Sequence, residues 1–168
     1  MNWSFALEDV VRELGLLSLG TRLKRIGDRL QADTQEIMNG FELSLTSAQF
    51  PYLAALDRLG PLAIGELSQA LGVAQPGVTR SINQLGGLGL IEVVPVSGDQ
   101  RRRIVTLSQK GRSLVAKAKD EIWPRIEAAV ADLCGDSSAG LLDLLGAMED
   151  GLSQRTLAQR ANLAEARQ

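Results

Sequence analysis

Residues 64–85 read IGELSQALGVAQPGVTRSINQL, the pattern of a helix-turn-helix. Ile64, Leu67, Ala70 and Leu71 recur at helical spacing and form one apolar stripe. Gly72 follows the last of them, where a helix ends on a residue that tolerates a left-handed backbone. Ala70 is small, which predicts close crossing by a second helix. Val78, Ile82 and Leu85 form the inward stripe of that helix, and Pro76 suits its first turn, where a proline forfeits no intrahelical bond. Gln75, Gly77, Thr79, Arg80 and Asn83 then face outward. These side chains are small or hydrogen-bonding, the kind that approach base edges and phosphates. Which of Gln75, Thr79 and Asn83 enters a groove depends on a helix rotation that spacing does not fix.

The next segment reads as a β-hairpin wing. Gly86-Gly87-Leu88-Gly89 ends the second helix; a phosphate-cradling loop would need to follow a strand and precede a helix, the reverse of the order here. Leu90 to Val94 is apolar and β-branched, and Pro95 is expected to stop it as a ladder strand. Val96 to Gln100 reads as the loop tip, and Arg101 to Leu107 alternates as the return strand. The tip carries Asp99, Arg101, Arg102 and Arg103. Guanidinium groups suit phosphates and the narrow minor groove, where negative potential concentrates. Alternation puts Arg102 on one side of its strand and Arg101 and Arg103 on the other.

The run Asp99 to Gly111, DQRRRIVTLSQKG, resembles the D-x-R…V-x-L-[TS]-x-x-G wing signature of the MarR family of transcriptional regulators. The order of elements around it is also similar, over roughly residues 5 to 158. The resemblance implies a mainly α fold with a small antiparallel β wing: a winged helix-turn-helix between long N- and C-terminal dimerisation helices. It implies a homodimeric, sequence-specific regulator of transcription, acting as a repressor released by a small-molecule effector, in the cytoplasm. The partners are then double-stranded DNA with a pseudo-palindromic operator, a second copy of the chain and the effector. The DNA-binding set is Gln75, Pro76, Gly77, Thr79, Arg80, Asn83, Asp99, Arg101, Arg102 and Arg103. In the family, the arginine at the position of Arg101 reaches the minor groove, and the aspartate at that of Asp99 orients it. Residues 1–45 are expected to be an N-terminal helical dimerisation segment, 46–110 the DNA-binding domain and 111–168 the C-terminal dimerisation helices.

Composition bounds the alternatives. The 168 residues are 45% hydrophobic and 23% charged, with a net charge of −2, which fits a globular chain and argues weakly against nucleic acid. Distribution matters more than the sum: Pro61 to Arg112 holds six basic residues against three acidic, a basic middle in an acidic protein. No apolar run reaches the ~18 residues of a membrane span, and Met1 to Phe5 lacks the pattern of a signal peptide. With no histidine, Ser-His and Cys-His catalysis, histidine metal sites and a histidine pH switch are excluded. No enzyme activity, cofactor or metal is expected. The one cysteine, Cys134, precludes an internal disulfide. It reads as a small packing residue, with an oxidation sensor as the sharper alternative, since no neighbour in sequence would depress its pKa. A winged helix serving only protein–protein contacts is the competing function, because the recognition helix carries one arginine.

The flanks read as long helices. Phe5 to Met38 steps by threes and fours, with Gly15, Gly20 and Gly27 as close-packing points, a bend or tolerated costs. Arg22, Lys24, Arg25 and Arg29 form a solvated face or contribute to an anion pocket. Ser47 to Leu59 is a second helix, capped by Thr46 or Ser47, with Phe50, Leu53, Ala54 and Leu56 inward. Leu62-Ala63 adds a short strand to the wing. Ser108 caps a helix over Lys110 to Leu133, which Pro124 should bend near Lys119 to Ile122. Asp136 or Ser137 caps the last helix, too apolar for a free surface, and residues beyond Leu157 are expected to fray. The dimer contacts are then Leu7, Val10, Val11, Leu14, Leu141, Leu142, Leu145 and Met148. Phe50, Tyr52 and Trp123 are core aromatics or the lining of an effector pocket.

Overall fold

A computed structural model of the chain describes residues 8–41, 45–96 and 99–165, with the side chains of 96–102 and 164–165 left undescribed. It is mainly helical with one small antiparallel sheet, and it divides at Pro124 into two compact units.

In the first unit, the long N-terminal helix is broken. A short helix α1 (Val10–Glu13) is followed by a 3-10 turn (Gly15–Ser18) and then by α2 (Leu19–Asn39). The break falls at Gly15, whose φ of +57° a continuing right-handed helix cannot contain. Ser18 Oγ donates to the Val11 carbonyl that the break releases. A Cβ at Gly20 or Gly27 would meet nothing within 4 Å, so those two are tolerated costs rather than packing points. Asp9 caps α1 and takes a two-pronged bond from Arg25 of α2, at 3.0 and 2.9 Å. The hydrogen bond from Arg25, aided by that from Arg12 N–H, holds the Asp9 carboxyl below the usual carboxylate range. Because the folded pKa is the lower one, the pair stabilises at neutral pH and is lost as pH falls through that depressed value. A carboxyl ¹³C titration should place the Asp9 midpoint below that of free aspartate, and Arg25→Gln should raise it.

The winged helix follows. A 3-10 turn (Ser47–Gln49) leads into α3 (Phe50–Leu59), with Pro51 in the first turn. Thr46 is the capping position: its N–H donates to Gln49 Oε1 at 2.9 Å. Strand β1 (Leu62–Ala63) precedes α4 (Ile64–Leu71), and α5 (Gln75–Gly87) completes the helix-turn-helix. Ala63 cannot cap α4 with its side chain, but Glu66 reaches back to its N–H at 2.6 Å. Gly72 adopts φ +61°, as its place in the turn requires. Leu67, Val78, Ile82 and Leu85 are buried, whereas Ala70 is exposed.

The wing is β2 (Ile91–Val96) and β3 (Asp99–Leu107), with β1 on the far side in the order β1-β3-β2. Pro95 does not end its strand. It pairs with Arg103, and the register shifts between Pro95 and Val96. Proline is tolerated there because β2 is an edge strand, where a missing donor costs little. The loop tip is correspondingly shorter than expected: Val96 pairs with Asp99, so Asp99 and Gln100 belong to β3. Val105 and Leu107 turn into the core.

Ser108 caps α6 (Gln109–Lys117), its Oγ accepting from Gly111 N–H at 3.0 Å. A π-helical turn (Ala118–Ile122) joins α6 to α7 (Trp123–Cys134). That is where Pro124 was expected to act: its ring would strike the carbonyl of Asp120, and a wider turn displaces that carbonyl. The turn is anchored by the buried Ala118 and Ile122 and by a 2.5 Å ion pair from Lys119 to Asp57.

The second unit holds the rest of α7, a 3-10 turn (Gly135–Ser137), α8 (Ser138–Gln154) and α9 (Leu157–Glu165). Neither predicted cap is made: Ser137 takes the capping position of α8 without a side-chain bond, because the 3-10 turn already leads into it. Fraying beyond Leu157 is also corrected. Thr156 and Gln159 form a reciprocal capping box, N–H to Oε1 at 3.0 Å and N–H to Oγ1 at 3.2 Å, which starts α9. Among the described residues, no helix is long and apolar enough to cross a membrane.

Candidate nucleic-acid interface

Helix α5 sorts its residues as the spacing predicted. Val78, Ile82 and Leu85 face the core, which leaves Gln75, Pro76, Gly77, Thr79, Arg80 and Asn83 exposed. Thr79 Oγ1 donates to the Gln75 carbonyl at 3.0 Å, so its hydroxyl proton is turned back onto the helix. A Cβ on Gly77 would sit 3.2 Å from Val73 Cγ1, a tight approach that the glycine avoids. Arg80 and Asn83 lie about one turn apart on α5, both exposed.

On the wing, Arg103 is exposed on β3, opposite Pro95. The side chains of Asp99, Arg101 and Arg102 lie outside the described residues, as does Leu7. The wing is nonetheless clamped to the body at its base. Ser108 Oγ donates to the Gly89 carbonyl at 2.7 Å, Ser108 N–H to Leu90 O at 3.0 Å, and Lys110 Nζ to Leu88 O at 2.8 Å. The Ser108 and Gly111 positions of the signature therefore fix the strand that carries the wing.

A cleft of about 720 Å³ opens beside α5. Its walls come from Leu30, Gln31 and Thr34 of α2, the stretch from Thr46 to Tyr52, the end of α4, and Gly77, Arg80, Ser81 and Gln84 of α5. Among the described residues, Arg80 is the only full charge on these walls; hydroxyls and amides supply the other polar groups. Such a wall presents one cation among neutral hydrogen-bonding groups. Of the three aromatics considered for a pocket, Tyr52 lines this cleft. Phe50 and Trp123 instead pack edge-to-face, with ring centroids 6.3 Å apart. Gln31, Thr34, Gln49 and Gln84 escaped the sequence reading. Gln49 had a signal: it falls in phase with Leu53 and Leu56, a polar residue on an apolar face.

The remaining residues lie on helices. Val10 and Leu14 are 59% and 47% exposed, and Val11 is half-buried. On α8, Leu141 and Leu142 are exposed, Leu145 and Met148 are half-buried, and no residue is buried.

Comparison with known proteins gives concordant results. A family model described as MarR family matches residues 43–102. The structure of a transcriptional repressor, CouR, bound to a 23-mer DNA duplex is similar at 32% identity and a TM-score of 0.69, covering 81% of this chain and 96% of that one. BpsR of Bordetella bronchiseptica, whose DNA binding is regulated by 6-hydroxynicotinic acid, is 27% identical with a TM-score of 0.69, over 79% and 93% of the two chains. The transcriptional activatory protein BadR of Rhodopseudomonas palustris is 28% identical over 133 residues, 68% of this chain and 71% of that protein.

Proposed function

The chain belongs to the MarR family of winged helix-turn-helix, DNA-binding transcriptional regulators, which are not enzymes, and we propose that it acts as a homodimeric repressor released by a small aromatic acid. The observation that carries this reading is the shared wall of α5. The helix that offers Arg80 and Asn83 outward is also one side of the cleft, and Arg80 belongs to both surfaces. The repressor reading is preferred over activation because the CouR likeness spans more of both chains, at higher identity, than the BadR likeness. BpsR supplies the ligand class, an aromatic carboxylic acid.

In this reading each subunit lays α5 in a major groove, and Arg101 of the wing enters the neighbouring minor groove. Two-fold symmetry calls for a roughly palindromic operator with half-sites about one helical turn apart. Leu7, Val10, Val11 and Leu14, with Leu141, Leu142, Leu145 and Met148 of α8, join the two copies. An acid in the cleft weakens DNA binding only so far as it prefers the dimer shape that does not fit the operator. As a transcription factor it works in the cytoplasm.

Fluorescence anisotropy on the intergenic duplex upstream of its own gene, against a scrambled duplex at several salt concentrations, tests the reading. Tight, sequence-dependent binding is expected, and 6-hydroxynicotinate or benzoate should weaken it. Arg101→Ala should weaken binding to every duplex and lower the slope of log affinity against log salt by about one unit. Unchanged affinity in that variant would remove the wing from the interface.

A further inference from the structure

Gln49 is 6% exposed and uses both ends of its side-chain amide. Its Oε1 accepts from Thr46 N–H at 2.9 Å, and its Nε2 donates to Gln84 Oε1 on α5 at 3.0 Å. The 3-10 turn that carries Gln49 is itself tied to α2. Ser47 N–H donates to Gln35 Oε1 at 2.7 Å, and Ser47 Oγ to the Gln31 carbonyl at 3.0 Å. A run of polar contacts thus leads from α2 through the turn to α5. Thr46, Ser47, Gln49 and Gln84 all line the cleft.

We propose that Gln49 is a positioning residue for DNA recognition: its bond to Gln84 sets the rotation of α5, and an occupant of the cleft acts by taking that bond. The inference rests on α5 as the DNA-reading helix. The apolar contacts of Val78, Ile82 and Leu85 fix the depth of α5 but are non-directional, so they leave its rotation soft. A hydrogen bond weakens steeply away from linearity, and this one joins α5 near the outward face that carries Arg80. A cleft ligand with a carboxylate or hydroxyl competes for the amides of Gln84 and Gln49, and α5 is then held by its apolar contacts alone.

The test uses the full chain and the operator duplex, with thermal unfolding measured in parallel. Gln49→Met keeps the side chain's length and apolar packing. It should weaken operator binding about tenfold while leaving binding to the scrambled duplex unchanged. Gln84→Met should do the same, and the double variant should be no worse than the weaker single, because both remove one shared interaction. Gln49→Glu should restore affinity, since the Gln84 amide can turn to donate to the carboxylate. That rescue should vanish when Gln84→Met is added. Gln49 is buried and cannot touch DNA, so its variant excludes simple loss of a base contact. Operator affinity within twofold of wild type in Gln49→Met, or a rescue by Gln49→Glu that persists without Gln84, overturns the proposal. Should Gln49→Met fail to fold, Gln84→Met with wild-type affinity overturns it alone. A wild-type chain that does not prefer the operator defeats the DNA reading, and the proposal with it.

Discussion

Gly111→Ala is expected to destabilise the first unit by about 3 kcal/mol, at the upper end of what overpacking costs. A Cβ at this position would lie 2.0 Å from the Leu90 carbonyl oxygen and 3.0 Å from its carbon. Both are backbone atoms, so no rotamer change relieves the clash. The carbonyl is also held in place, because it accepts from Ser108 N–H at 3.0 Å. To admit a methyl group, the start of α6 must separate from the start of β2. That separation breaks the bonds from Ser108 Oγ to the Gly89 carbonyl and from Ser108 N–H to the Leu90 carbonyl. Thermal unfolding should shift down by roughly 10 °C. Gly20→Ala is the control of opposite sign. Gly20 lies within α2 with nothing within 4 Å of its added Cβ, so alanine should stabilise by up to ~1 kcal/mol. Equal small effects at the two sites would mean that the base of the wing can shift freely.

The same glycine explains why the signature was legible. Its last position is set by backbone contact between α6 and β2, so the residue type follows from geometry and shows in the sequence. The helix-turn-helix was legible for a similar reason, since two apolar stripes and a left-handed Gly72 leave little choice of arrangement. What escaped were features set by tertiary context. The break at Gly15 depends on which of three glycines in one apolar pattern takes a positive φ, and periodicity treats Gly15, Gly20 and Gly27 alike. Pro95 reads as a terminator because its strand's place at the sheet edge is not local information. Helix α9 starts at a capping signal, Thr156 and Gln159 three residues apart, that the polar, alanine-rich composition around it masks. The cleft was hidden because it is lined by amides and hydroxyls from four segments, none of which forms a motif alone.

Leu141→Asp combined with Leu145→Asp should convert the proposed dimer to monomers. Leu141, Leu145, Met148 and Leu152 step by four, three and four along α8, the spacing of one seam on a helix. Within the second unit that seam is only partly covered: Leu145 and Met148 are half-buried, but Leu141 is 41% and Leu152 49% exposed, and Leu142 and Leu144 beside it are 69% and 58% exposed. A chain that stayed alone would leave this apolar row in water, at a cost of roughly 25 cal/mol for each Å². A second copy removes the cost, and an aspartate at two adjacent turns of the seam would then have to be buried without a partner. Sedimentation velocity should show a monomer, with most helix content by circular dichroism retained because Leu141 is exposed and Leu145 only half-buried in the single chain. Operator affinity should fall by two or more orders of magnitude, since each monomer then binds one half-site and the gain from linking two is lost. A variant that remains a dimer would place the interface away from α8. A monomer that binds the full operator as tightly as wild type would show that the two half-sites are not read together.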